Sequence, residues 1–310
     1  MLPGVGKIGG AMNHPRTIEG ISAPWLTDVL RDAGILRRAT VRAVDVHAIG
    51  EGLGFLSGPP RVAISYDQTE EGAPARVVVK LPASVKAGSE FAESGHAYER
   101  EIRFYREVAP QVLPWVPSVE QQLKMLSLTP AVIRTAWPLF LETFGDSLPP
   151  DGRALGERII KRLEGILAAF VKVKHTLVHF DYRADNLFID DLTRKAPIVV
   201  IDWQLAMWAL GAYDVARLAG GSIPPAERGG HHEEIVECWH EGLMADGVTD
   251  YSRDEAWHDY RLSAILATLN PVLFHYMFKT GGARGTALGA AMTERFFSDL
   301  VECGAEAVVP

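Results

Sequence analysis

Three polar residues stand out between residues 178 and 203 because their types and spacing suit one kind of chemistry. Asp181 precedes Asn186 by five residues on a polar loop, and Asp202 ends the apolar run that begins at Ile198. One carboxylate could meet the proton of a hydroxyl group, while an Asn and a second carboxylate could hold Mg²⁺ on a nucleotide. The spacing therefore predicts phosphoryl transfer, whose catalysis consists mostly of positioning and charge neutralisation.

Three features of the first half of the chain could complete such a site. Gly50, Gly52 and Gly54 lie between two strand patterns and permit close approach of the backbone to phosphates. Lys80 ends an apolar strand pattern and could bind nucleotide phosphates as a point charge. Glu101 lies on the inward stripe of a predicted helix, where a carboxylate needs a cationic partner such as Lys80. Each feature alone also fits a turn, an edge lysine or a partly exposed charge. The order of five pieces favours the site, namely the glycines, Lys80, Glu101, the pair Asp181 and Asn186, and Asp202.

The composition sets limits on the class of protein. The chain has 310 residues, of which 47% are hydrophobic and 23% charged, so it is long enough for two lobes of ordinary globular composition. Its formal net charge of −8 argues against a general nucleic-acid binder. The start lacks a signal-peptide pattern, no run of about 18 apolar residues occurs, and Cys238 and Cys303 match no short metal or redox spacing. We interpret this as a cytoplasmic protein with no membrane span.

The hydrophobic periodicity predicts a β-rich first part that contains helices, followed by a largely helical second part, an order typical of an α+β fold. Helix patterns cover residues 22–34, 89–109 and 151–175, and strand patterns cover 40–49, 61–66, 76–81 and 138–144, with a hairpin at 187–202. The predicted organisation is a leader (1–21), an N-lobe that binds the nucleotide (22–144) and a C-lobe with the catalytic loop, metal site and acceptor-binding helices (145–310).

These motifs resemble the aminoglycoside phosphotransferase and choline-kinase-like superfamily, whose catalytic loop reads His-Gly-Asp followed after four residues by Asn. The form Asp-Tyr-Arg-x-Asp-Asn at 181–186 is similar to phosphotransferase domains associated with acyl-CoA dehydrogenases. Segments at 201–204 and 211–216 resemble the superfamily as well, including its ecdysteroid-kinase-like branch. The resemblance covers roughly residues 25–280. It implies a bilobal protein-kinase-like fold and an ATP- and Mg²⁺-dependent kinase that acts on a hydroxyl group of a small molecule.

The resemblance also implies which residues would bind the nucleotide. Lys80 would hold the phosphates, together with the glycines at 50, 52 and 54, and Glu101 would orient Lys80. The backbone of Glu142, Thr143 and Phe144 would meet adenine at the junction of the lobes.

A second set of implied roles concerns the chemical step. Asp181 would be the catalytic Asp, and Arg183 would face the acceptor beside it. Asn186 and Asp202 would bind Mg²⁺, and Asp214 would steady the catalytic loop.

One residue departs from the family pattern. Phe180 stands where the family has Gly, a change that could reshape the loop or wall the acceptor pocket. Two other functions stay open at this point: a pseudokinase or nucleotide-binding module without turnover, and a phosphotransferase that confers aminoglycoside resistance. Acidic residues in the acceptor cleft would favour the latter, whereas an apolar cleft would favour a lipid-like, steroid-like or acyl-CoA alcohol. The sequence leaves open the acceptor, the choice between ATP and GTP, and the choice between monomer and homodimer.

Overall fold

A computed structural model describes most of the chain, in several stretches. The described residues are 15, 17–47, 60–81, 129–188, 198–278 and 282–310. The chain divides into two compact units, one ending at Phe91 and the other beginning at Ala92. The predicted lobe boundary near residues 144–150 therefore lies inside the second unit. No helix in the described stretches is both long enough and apolar enough to cross a membrane.

The two units differ in their secondary structure. The described part of the first unit contains helix α1 (Ala23–Asp32) and strands β1 (Val41–His47), β2 (Arg61–Tyr66) and β3 (Arg76–Val78). The described part of the second unit contains helices α2 (Pro130–Phe144), α3 (Gly152–Lys161), α4 (Leu163–Lys172), α5 (Ala212–Ser222), α6 (Pro225–Arg228), α7 (His232–Ala245), α8 (Arg253–Phe278) and α9 (Gly282–Glu302), and strands β4 (Thr176–Val178), β5 (Leu187–Phe188), β6 (Val199–Val200) and β7 (Met207–Ala209). This mixture of helices and small antiparallel sheets is an α+β architecture.

The first unit is a three-stranded antiparallel sheet with one helix. Its strand order is β1-β2-β3, and Val62 lies between Val46 and Val77 in the register. Helix α1 begins where the sequence predicts, because the Ser22 hydroxyl accepts the N–H of Trp25 at 3.4 Å. The three strands predicted before residue 82 are confirmed.

The second unit consists mainly of helices that pack around one hydrophobic core. The predicted helix over 151–175 is confirmed as two helices, α3 and α4, which meet at Arg162. Its apolar stripe is buried, as the sequence spacing requires; the stripe consists of Leu155, Ile159, Leu163, Ile166 and Phe170. The long helix α8 packs against α5, α2 and α9, so these four helices enclose most of the core.

The strand predicted at 138–144 is wrong, because these residues form the second half of helix α2. A short apolar run fits either a strand or a buried helix, and only the residues before Pro138 decide between them. Ile133, Trp137 and Phe140 continue into Phe144 at steps of three or four and are buried together. The helix therefore takes its stability from packing in the second unit rather than from strand pairing.

Two short ladders place the segments that carry the site. Strand β4 pairs with β7, and β5 pairs with β6 as the predicted hairpin. In the second ladder Leu187 lies opposite Val200, and the N–H of Ile201 donates to the carbonyl of Asn186 at 3.0 Å. This pairing sets Asn186 and Asp202 beside each other at the open end of the hairpin.

Candidate active site

The loop after β4 is held by a carboxylate on helix α5. Asp214, in the first turn of α5, accepts the backbone N–H of His179 at 2.7 Å and that of Phe180 at 2.9 Å. Burial raises the pKa of Asp214 to about 7, although these two hydrogen bonds act in the opposite direction. The geometry agrees with the prediction that Asp214 steadies this loop.

His179 joins the same loop to the end of β6. Its Nε2 lies 2.7 Å from the carbonyl oxygen of Ile201, and its Nδ1 lies 3.2 Å from the backbone nitrogen of Asp181. A carbonyl can only accept and an N–H can only donate, so both contacts require the neutral ring with its proton on Nε2. The Trp203 ring lies against His179 at 4.7 Å between centroids and shields this buried connection.

Phe180 lies in the hydrophobic core of the second unit. Its side chain is only 5% exposed and its ring stacks on Tyr213, with 4.2 Å between centroids and an angle of 8° between planes. Its φ is 68°, in the left-handed region that Gly adopts without cost. The loop thus keeps a backbone conformation suited to the family's Gly, while the extra ring fills the interior. The effect of Phe180 on the acceptor pocket stays a prediction.

The carboxylate of Asp181 is the meeting point of three side chains. Its Oδ1 accepts from Nη2 of Arg217 at 2.8 Å, and its Oδ2 lies 3.4 Å from Nε of Arg183 and 3.3 Å from Nδ2 of Asn186. Asn186 also donates to the backbone carbonyl of Asp181 at 2.8 Å. Burial by itself would raise the pKa of Asp181, but the charges of Arg217 and Arg183 outweigh it and hold this pKa below its usual value. The carboxylate is therefore fixed in place and ionised.

Arg183 lies among several carboxylates. Its Nη1 donates to Asp185 at 2.8 Å, and its Nε faces Asp181. Burial opposes its charge, but the negative charges of Asp181, Asp185 and Asp202 prevail and raise the pKa of Arg183. Asp202 directly follows Ile201, whose N–H donates to the carbonyl of Asn186, so it lies near this loop.

Asn186 and Asp202 form a donor set that fits Mg²⁺. The hydrogen bonds of Asn186 to Asp181 use its amide nitrogen, so its Oδ1 is the atom suited to a cation. Asp202 turns out of the hairpin with φ 69°. Mg²⁺ is commonly held by one or two protein oxygen ligands together with phosphate and water, so one carboxylate and one amide oxygen suffice. No cluster of three or more His, Cys, Asp or Glu suited to a metal occurs within the described stretches.

The remaining predicted site residues have different outcomes. Lys80 lies two residues beyond β3 and is exposed. Four other predicted residues lie outside the described residues, so their roles stay predictions: Gly50, Gly52, Gly54 and Glu101.

Glu142, Thr143 and Phe144 form the last turn of α2, where the Phe144 ring is buried against Phe140 and His275. These three residues are therefore helical and not in the predicted strand, and their contact with adenine, which the resemblance implies, stays a prediction.

Comparison with known families agrees with this geometry. A family model described as the phosphotransferase enzyme family, APH, matches residues 26–257, which is most of the chain and includes the whole loop and hairpin. The chain belongs to this phosphotransferase family. A search of curated proteins finds no match. A phosphotransferase is therefore identified at the level of the family, with its acceptor still to be determined.

Two residues of the site were missed by sequence reasoning, and both lie on α5. Arg217 binds Asp181 from a position 36 residues away, and the hydroxyl of Ser222 accepts the N–H of Ala184 at 3.0 Å. The sequence did contain a signal for Arg217, which is a charged residue among the small residues Ala216, Ala219 and Gly220 of a helix that becomes buried. A buried Arg requires an anionic partner, so Arg217 could have been paired with a carboxylate of the loop.

Proposed function

We propose that the protein is a kinase that uses ATP and Mg²⁺ to transfer the γ-phosphoryl group to a hydroxyl group of a small molecule, within a bilobal protein-kinase-like fold. The observation that carries this proposal is the fixed carboxylate of Asp181 beside the pair Asn186 and Asp202. Membership of the phosphotransferase family supports the reaction class.

Asp181 would orient the acceptor hydroxyl and take its proton late. An alcohol is far less acidic than a carboxylic acid, so a carboxylate cannot remove its proton in advance. A loose transition state does not require this, because the proton becomes acidic only as the new bond to phosphorus forms. A carboxylate with a lowered pKa suits this role, since it stays ionised and able to accept a hydrogen bond.

Several groups would neutralise the charge of the phosphates. Asn186 and Asp202 would hold Mg²⁺, which supplies positive charge to the nucleotide phosphates when bound. Lys80, oriented by Glu101, would bind the phosphates as a second cation. Arg183, which already lies among carboxylates, would present its guanidinium to the transferring group.

The direct test measures phosphoryl transfer and nucleotide binding separately. Purified protein is assayed for ATP consumption with alcohols, amino sugars, choline and hydroxyacyl-CoA, and MgATP binding is measured by calorimetry. Asp181→Asn should lower turnover at least about 10³-fold, because it removes the proton acceptor, while the Kd for MgATP changes little. Asp254→Asn, an exposed position on α8, serves as the control and should keep wild-type turnover.

Three outcomes separate the alternatives. Wild-type turnover by Asp181→Asn would remove this residue from the mechanism. Nucleotide binding without turnover of any acceptor would indicate a pseudokinase instead. The absence of both turnover and Mg²⁺-dependent nucleotide binding would contradict the kinase proposal as a whole.

A further inference from the structure

We propose that Arg217 is a positioning residue, which holds one oxygen of Asp181 from the protein interior so that the other oxygen meets the acceptor hydroxyl. This inference rests on the proposed function, because it assigns a role in the same reaction. It concerns a residue that does not itself touch the substrate.

The two oxygens of Asp181 have different surroundings. Oδ1 accepts a hydrogen bond from Arg217, whose side chain is only 5% exposed. Oδ2 faces Arg183, whose side chain is 30% exposed, and Asn186, the proposed metal ligand. The buried guanidinium of Arg217 covers Oδ1, so the acceptor would approach Oδ2, whose neighbour Arg183 is the more exposed of the two arginines. This difference fixes which oxygen would receive the proton.

Helix α5 and its neighbour α9 are shaped to hold this guanidinium. The charged group of Arg217 lies over the ring of Phe296, at 5.1 Å from the centroid. A Cβ atom at Gly221 would lie 2.6 Å from Nη1 of Arg217 and 2.9 Å from the Phe296 ring. Only a residue without a side chain leaves room here, so Gly221 keeps the guanidinium in its place against Asp181.

A purely structural role explains Arg217 poorly. Taking a guanidinium out of water is costly, and an apolar side chain of similar size often serves stability better. Within the described residues, Asp181 is the only carboxylate in ion-pair contact with Arg217. The hydrogen bonding of Arg217 is thus directed at one functional carboxylate.

The other buried arginine of this region shows the contrast. Arg228 donates to the carbonyls of Ala219, Ile223 and Arg295 and pairs with Glu302. Arg228 therefore connects helix α5, the residue Ile223 that follows α5, and helix α9. Such a set of contacts is expected of a residue that stabilises the fold. Arg217 makes no comparable set of bonds to main-chain carbonyls within the described stretches.

The test uses two ways of disturbing Arg217. Arg217→Met removes the charge at similar length, and Arg217→Lys keeps the charge but loses the planar fork. Gly221→Ala keeps the guanidinium and displaces it, because the flexible end of Arg217 is what gives way. Gly242→Ala, in helix α7, is the control, since its Cβ would meet no atom within 4 Å.

Steady-state kinetics give the first readout. A displacement of about 1 Å at a catalytic group costs on the order of 10²-fold in rate. We expect kcat to fall about 100-fold in Arg217→Met and about 10-fold in Gly221→Ala, with partial rescue in Arg217→Lys. The KM for ATP should stay within about twofold in all of them, and Gly242→Ala should keep the wild-type kcat. Equal kcat values in Gly221→Ala and Gly242→Ala would overturn the inference.

Crystal structures of the wild type and of Arg217→Lys and Gly221→Ala give a readout that needs no activity. The Asp181 carboxylate should turn away from its wild-type rotamer or occupy two rotamers when Arg217 is altered. An unchanged carboxylate in both variants would contradict the positioning role even if the wild type has no turnover. An inactive wild type with a displaced carboxylate in the variants would contradict the proposed function and leave the positioning role supported.

Discussion

Phe180 combines a left-handed backbone with a buried aromatic ring, two properties that rarely occur together. A left-handed conformation costs a non-glycine residue about 1–2 kcal/mol, because Cβ approaches a carbonyl oxygen. Burying and stacking the ring on Tyr213 contributes more than this, since removing a buried Phe side chain costs about 3–5 kcal/mol. The ring therefore stabilises a loop conformation that Gly would reach without help.

Two substitutions at this residue separate the ring from the backbone. Phe180→Ala loses the ring and keeps the unfavourable φ, whereas Phe180→Gly loses the ring and relieves the backbone. We expect Phe180→Ala to lower the free energy of unfolding by about 3–5 kcal/mol. Phe180→Gly should be more stable than Phe180→Ala by about 1 kcal/mol. Urea unfolding curves measure both values, and a Gly variant less stable than the Ala variant would show that φ is not strained.

At the scale of elements, helix α5 organises the loop through three side chains on one side. Asp214 accepts the N–H groups of His179 and Phe180, Arg217 binds Asp181 three residues further on, and Ser222 accepts from Ala184 near the helix end. Residues three and eight positions apart share one side of a helix. A single rigid element thus sets the path of the loop from its start to the residue before Asp185.

The buried Asp214 makes the stability of this arrangement depend on pH. Its pKa of about 7 in the folded state exceeds the ordinary value of 3.8 in the unfolded chain. The folded state therefore keeps a proton that the unfolded state loses, so this contribution is present below pH 4 and disappears as the pH rises towards 7. The free energy of unfolding should fall by up to about 1.4 kcal/mol per pH unit between these values because of this group.

The test compares Asp214→Asn with the wild type across this range. The variant loses one of two backbone hydrogen bonds, which lowers its stability by about 1 kcal/mol or more at pH 4. Its disadvantage should then shrink as the pH rises to 7, because it has no carboxyl proton to lose. Denaturant unfolding at several pH values measures the difference, and a constant gap between the two proteins would contradict the raised pKa.

The elements differ in how far the sequence could predict them. The hairpin of β5 and β6 follows from local signals, because its apolar runs and turn residues are contiguous. The second half of α2 shows the opposite case: the run Leu139–Leu141 has no period of its own, and distant contacts such as that of Phe144 with Gly289 help to hold it as a helix. A contact between residues 145 positions apart leaves no mark on local spacing.

For the molecule as a whole, motif order could predict the phosphotransferase family, which the family match confirms, and the half of the chain that carries the loop. The metal ligands in that half stay a prediction. The ladder that places Asn186 beside Asp202 follows from the chain order of loop and hairpin. Arg217 and Ser222 could not be placed in this way, because their contacts depend on the angle at which α5 packs on α8 and α9. Tertiary packing, rather than local propensity, determines these positions.

Nucleotide binding should be visible in the stability of the whole chain. A ligand that binds only the folded state, at 100 times its Kd, adds about 2.7 kcal/mol to the free energy of unfolding. MgATP at that excess should therefore raise Tm by on the order of 5 °C, and EDTA should remove most of the increase.

Asp202→Ala should abolish the Mg²⁺-dependent part of this increase in Tm, because it removes the one charged ligand of the proposed metal site. Asp250→Ala deletes a carboxylate that pairs with Lys174 elsewhere in the same unit and should keep the full shift. An equal shift with and without Mg²⁺ in the wild type would contradict the assignment of Asn186 and Asp202 as its ligands.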